Sequence, residues 1–87
     1  MSDTKAKSLG IKPLARIVSS GVSGLDPEIM GLGPIAASQQ ALARAGMTIN
    51  DIDLVEINEA FASVVLSWQK VLNIPLEKIN IAGGAIA

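Results

Sequence analysis

The sequence contains no cysteine, no histidine and no tyrosine, and only one Phe and one Trp. Without thiols it forms no disulfide and offers no thiolate nucleophile, a pattern that fits a reducing compartment. Without imidazole it holds no serine–histidine relay and no ordinary imidazole-containing zinc site. Any acid–base work of its own falls to Asp, Glu or Lys. Two aromatic rings are too few stacking platforms for single-stranded nucleic acid. Neither sign of charge dominates: 7 basic and 8 acidic residues are mixed along the chain, for a net charge of -1. No field exists to gather nucleic-acid phosphates or anionic lipid. No apolar run approaches the roughly 20 residues of a membrane span, and the charged start, Met1 to Lys7, has no apolar signal core behind it. The expectation is a soluble, cytoplasmic chain that binds no nucleic acid and spans no membrane.

What is present is apolar and small. Hydrophobic residues make up 49% of the 87, and the 8 glycines raise that share to about 58%, against roughly 45–50% in ordinary globular domains. The mean hydropathy is +0.46. A free-standing domain of this length buries only about 60–65% of its unfolded surface, so this much apolar surface is expected to meet another part of a protein or a second copy. The composition reads as a fragment or an obligate oligomer.

Ser2 or Asp3 can cap a short polar helix that Gly10 stops. After Pro13, Leu14 to Val22 read as a strand, and Gly21 to Pro34 carry enough breakers to form a long loop. Pro34 suits the first turn of a helix rich in alanine that Gly46 closes. Met47 to Asp51 make a turn, and Ile52 to Ile57 a short strand. Phe61, Val64, Val65, Trp68, Val71 and Leu72 then form one stripe of an amphipathic helix, ended by Asn73-Ile74-Pro75. Lys78 to Ala82 give a third strand and Gly83-Gly84 a bend. Alternation of this kind implies βαβ units and a parallel sheet covered by helices.

Three stretches, Met30-Gly31-Leu32-Gly33-Pro34, Asn58-Glu59-Ala60-Phe61-Ala62 and Asn80-Ile81-Ala82-Gly83-Gly84-Ala85-Ile86-Ala87, resemble the thiolase family in wording, order and spacing. Ala41 to Gly46 and Asp51 to Glu56 follow the family's usual wording as well, so the resemblance covers nearly the whole chain. It implies a thiolase-type three-layer α/β/α domain, of which these residues give about three strands and two main helices. Residues 1–10 resemble the helix end at the junction to the carboxy-terminal domain, and 11–87 its first half, stopping at Ala87 immediately before the position of the family's Gly-His-Pro motif. Thiolases cleave a 3-ketoacyl-CoA with free CoA, or condense two acyl-CoA molecules, using two reactive cysteines and that histidine. The resemblance therefore implies a coenzyme A thioester as substrate, with no covalently bound cofactor. Its expected partners are acyl-CoA, CoA and the remainder of a thiolase, or a second copy. A nucleophile and a proton-transfer group are both missing here, so these 87 residues are expected to be inactive alone. A rival expectation is a non-catalytic CoA-binding or protein-interaction module that keeps part of the fold.

By resemblance, Asn58 holds an ordered water that, with the histidine, stabilises the thioester oxyanion, a donor role worth on the order of 3–4 kcal/mol in the transition state. Its spacing also suits an N-cap of the striped helix. Glu59 would sit in the first turn of that helix, where a carboxylate suits the dipole. Phe61 belongs to the apolar stripe, and in the family borders the pantetheine channel. Met30 is a flexible gap-filler or, by resemblance, a wall of the acyl pocket. Gly83 and Gly84 form a bend that in the family brings backbone close to the reacting thioester. Asp53 and Glu56 stand at no recognised catalytic spacing, and Trp68 reads as a packing residue.

Overall fold

Ser2 opens the first helix, α1 (Asp3–Ser8), by accepting the Lys5 N–H on its Oγ at 3.2 Å, and Gly10 at φ +65° provides the left-handed residue beyond its end. The structure, a computed structural model, describes residues 1–86. With 6 residues, α1 is too short to persist without support, and within it only Ala6 is buried.

Helix α2 (Gly33–Ala45) carries Pro34 in its first turn, where a missing N–H costs nothing, and its alanines favour continuation. Gly46, at φ +67°, ends it. The N–H groups of Gly46 and Met47 donate to the Ala43 and Leu42 carbonyls at 3.1 and 3.0 Å, the pairing of a Schellman motif. Helix α3 (Ala62–Leu72) ends at Asn73, a non-glycine residue that tolerates the left-handed region, here at φ +55°. Val64, Trp68 and Leu72, spaced by four, are its buried residues, whereas Phe61 and Val71 at the edges of the predicted stripe are 60% and 54% exposed. The buried face is narrower than the pattern suggests: α2 and the 3₁₀ segment Pro27–Leu32 pack against α3, and the residues at the edges of its stripe stay exposed. Pro27–Leu32 also gives the predicted long loop an ordered middle, capped by Asp26, whose carboxylate accepts the Glu28 N–H at 3.1 Å.

Trp68, Leu72 and Ile74 form the core, with half-buried Ile35, Ile49, Val55, Ile57 and Ile79 packed against them. The indole N–H of Trp68 donates to Ser38 Oγ at 2.9 Å and ties α3 to α2. No described helix is long and apolar enough to cross a membrane.

The three expected strands need correction. Among the described residues, sheet pairing reduces to one parallel bridge, Val55 with Ile79. The stretch from Leu14 to Val22 makes no backbone–backbone hydrogen bond among the described residues and so forms no strand, because a strand exists only as a relation to a neighbouring strand. It lies instead on α2: Ser19 Oγ donates to the Ala41 carbonyl at 2.7 Å, Gln40 Oε1 accepts the Val22 N–H at 2.9 Å, and Arg44 Nη1 donates to the Ser20 carbonyl at 2.8 Å. Leu14, Ile17, Val18 and Val22 are left exposed. At the bridge, Val55 N–H donates to the Lys78 carbonyl and Asn80 N–H to the Val55 carbonyl, both at 2.8 Å. There the backbone ladder stops, because Asn80 turns left-handed at φ +48°.

Candidate functional site

Beyond the bridge, the pairing is continued by a side chain. Asn80 Oδ1 accepts the Ile57 N–H at 2.8 Å, and Asn80 Nδ2 donates to the Ile57 carbonyl at 3.0 Å. A primary amide carries one donor and one acceptor arranged as in a peptide, so Ile57 meets both kinds of partner that a continued parallel ladder would have supplied. Nδ2 also donates to Glu59 Oε1 at 2.8 Å. The main chain meanwhile folds into a turn in which Gly83 N–H donates to the Asn80 carbonyl at 2.9 Å. Gly83, at φ +105°, adopts a backbone that a side chain would strain.

The consequence is a cleft of about 280 Å³ between the Glu56–Asn58 edge, Asn80 and the Gly83–Ala85 turn. Asn58, Gly83 and Gly84, proposed from separate motifs, stand together in it. A second cleft of about 320 Å³ lies on the other side of the same edge, against Pro34, Ala37, Ser38 and Trp68. Asn58 borders both, so it is part of the wall that divides them. Among the described residues its side chain makes no internal hydrogen bond, and neither do the N–H groups of Gly84 and Ala85. Neutral donors lining a cleft without internal partners can stabilise developing negative charge on a bound group. The flanking charges are the acidic Glu56 and Glu59, so among the described residues the cleft lining has no cation to attract a phosphate.

Met30 and Phe61 line neither cleft. Met30 lies in the 3₁₀ segment at 67% exposure, and Phe61 precedes α3 with an extended backbone. Two helix-end expectations are also corrected. The N-cap position of α3 falls to Phe61, three residues beyond Asn58, and Glu59 stands before the helix rather than in its first turn. The reason is the grip of Asn80 on Ile57 and Glu59, which holds residues 57–59 outside the helix. Asn80 opens the third motif stretch but was read only as part of a predicted strand, with no role of its own. The available signal was an asparagine three residues before Gly83-Gly84, since asparagine is the non-glycine residue best suited to leave a strand left-handed.

Comparison with known proteins places this geometry in context. The family described as "Thiolase, C-terminal domain" matches residues 11–87. The chain is 54% identical to an acetyl-CoA acetyltransferase of Syntrophomonas wolfei and 53% identical to the cytosolic acetyl-CoA acetyltransferase of Mus musculus, covering 100% of this chain in each case. It is superimposable on human mitochondrial 3-ketoacyl-CoA thiolase with a TM-score of 0.92 at 49% identity, over 99% of this chain and 22% of that one. A Bacillus anthracis acetyl-CoA acetyltransferase gives 0.91 at 48% identity, over 97% of this chain and 21% of that one. The chain spans 22% of the length of the Syntrophomonas wolfei relative. With the match extending through the cleft from Asn58 to Gly84, the chain belongs to the thiolase family, within its C-terminal domain.

Proposed function

We propose that these residues form one wall of a site that handles coenzyme A thioesters, in a reaction that transfers an acyl group between thioesters by thiolysis or condensation. The observation that carries this reading is the shared cleft of Asn58, Gly83 and Gly84. In it, Asn58 supplies an amide that holds a water against the thioester oxygen, and the Gly83-Gly84 backbone approaches the reacting carbon without a β-carbon in the way. Met30 and Phe61 serve as outer walls for the acyl chain and the pantetheine arm. The acyl carrier and the proton-transfer group come from elsewhere in a thiolase, because the 87 residues contain neither cysteine nor histidine. Acyl-CoA and CoA are the small-molecule partners, and the remainder of a thiolase, or a second copy, covers the exposed apolar segment from Leu14 to Val22. A cytoplasmic setting, the one named for the mouse relative, belongs to the same proposal.

The test is a chimera. These 87 residues replace their counterpart in the Syntrophomonas wolfei acetyl-CoA acetyltransferase, and acetoacetyl-CoA thiolysis is followed. The chimera is expected to turn over, and Asn58→Ala to lower its kcat by about 10²–10³-fold, the usual cost of an oxyanion-site donor. The isolated 87-residue chain is expected to show no thiolysis. Turnover by the isolated chain, or an Asn58→Ala chimera as fast as its parent, would count against the reading.

A further inference from the structure

Every polar group of Asn80 is engaged, and its partners bracket Asn58. The side-chain amide holds the backbone of Ile57 on one side and the carboxylate of Glu59 on the other, while the main chain joins Val55 behind and Gly83 ahead. Asn58 lies between the two gripped residues, and Gly83 and Gly84 follow from the turn that Asn80 begins. We propose that Asn80 is a positioning residue for Asn58: its side-chain amide takes the places that the Asn80 carbonyl and the Ala82 N–H would fill if the parallel ladder continued, which frees the main chain to turn and sets Asn58 against the glycine turn. This rests on the role assigned to Asn58 under Proposed function.

The chemistry of the position is narrow. Aspartate has the same shape but puts an oxygen where Nδ2 donates, facing the Ile57 carbonyl and the Glu59 carboxylate, so two attractions become repulsions. Glutamine carries the right groups one methylene too far out. Glycine accepts φ +48° but leaves Ile57 with neither of its present partners. A residue of ordinary strand backbone would continue the ladder past Ile79 and carry Gly83 and Gly84 away from Asn58.

Two measurements test this. In the full 87-residue chain, Asn80→Gly, which removes the Oδ1 acceptor, is expected to speed hydrogen exchange of the Ile57 amide at least about tenfold while the α3 amides keep their rates, since that N–H loses its partner locally. In the chimera, Asn80→Asp is expected to lower kcat by about 10–100-fold with KM little changed, the scale of a misplacement near 1 Å. Because Asn80 acts through Asn58, Asn58→Ala combined with Asn80→Asp should be no slower than Asn58→Ala alone, to within about twofold. A merely structural role would multiply the two losses. If the Asn80→Asp chimera does not fold, Asn80→Gly, which suits the positive φ, takes its place in the cycle. An inactive parent chimera, or a harmless Asn58→Ala, overturns the functional reading and this inference with it. A costly Asn58→Ala beside a harmless Asn80 change, multiplied losses, or an unprotected Ile57 amide in the unaltered chain overturns the positioning role alone.

Discussion

Gly21 and Gly84 both sit where a β-carbon has no room, and they differ in what stands in the way. At Gly84 the obstacle is the carboxylate of Glu59, the far end of a side chain that can swing aside. Gly84→Ala should therefore cost little more than the Asn80–Glu59 hydrogen bond, about 0.5–1.5 kcal/mol. At Gly21 the obstacle is helix backbone, the Ala37 carbonyl and the Ala41 nitrogen. Gly21→Ala must lift the segment around Gly21 off α2, at about 1–3 kcal/mol. Trp68, the one tryptophan and a buried one, reports both by its fluorescence during urea unfolding. Equal midpoints for the two variants would contradict this assignment. At this scale the motifs pointed to Asn58, Gly83 and Gly84, which the fold brings to one cleft, and Asn80 stands in the same motif as the two glycines. The link between them was not legible, because it depends on one left-handed dihedral at Asn80, and a side chain that imitates a peptide leaves no periodicity to detect.

Both long helices are held together by one polar contact within an apolar seam, Trp68 Nε1–H to Ser38 Oγ. Ser38→Ala leaves that N–H without its partner at a side chain only 4% exposed, which should cost about 1–3 kcal/mol. Faster exchange of the indole N–H by NMR checks the cause, and an unchanged rate would show that another acceptor replaces Ser38. Asp51 provides a pH-dependent element. The Thr48 N–H, donating at 2.7 Å, and the Thr48 hydroxyl at 2.9 Å hold its carboxyl below the usual aspartate range. A depressed folded-state pKa contributes stability above the unfolded value and loses it as pH falls through the folded one, so the Thr48–Asp51 turn should loosen only in acid. An NMR titration of the Thr48 amide with its midpoint below that of an unstructured aspartate is the expected result. Helices were readable because their stops are local: Pro34, Gly46 and Asn73 act within one turn. Strands were not, since Leu14 to Val22 have strand composition but no strand beside them among the described residues.

As a whole molecule the chain exposes 6646 Å², against about 4,900 Å² for a compact monomer of its 9.0 kDa. Its radius of gyration is 15.3 Å, where about 12 Å would suit 87 residues. The surplus of about 1,700 Å² is about twice the roughly 800 Å² that one partner buries in a standard protein–protein interface. Purified alone, the chain should bind an apolar-surface dye and unfold in urea with a slope roughly a fifth below that of a compact domain of its size, because about a fifth less surface is left to expose. A slope as steep as a compact domain's, without dye binding, would contradict that picture. The Asn80 grip joins residues 23 apart in sequence, with the whole of α3 between them. Closing a loop of that length costs about 3 kcal/mol of chain entropy before any bond rewards it, whereas each helical bond spans only four residues. In time, then, α3 is expected to form before the cleft closes, and on a native molecule amide exchange is expected to show the cleft opening while the helices stay wound.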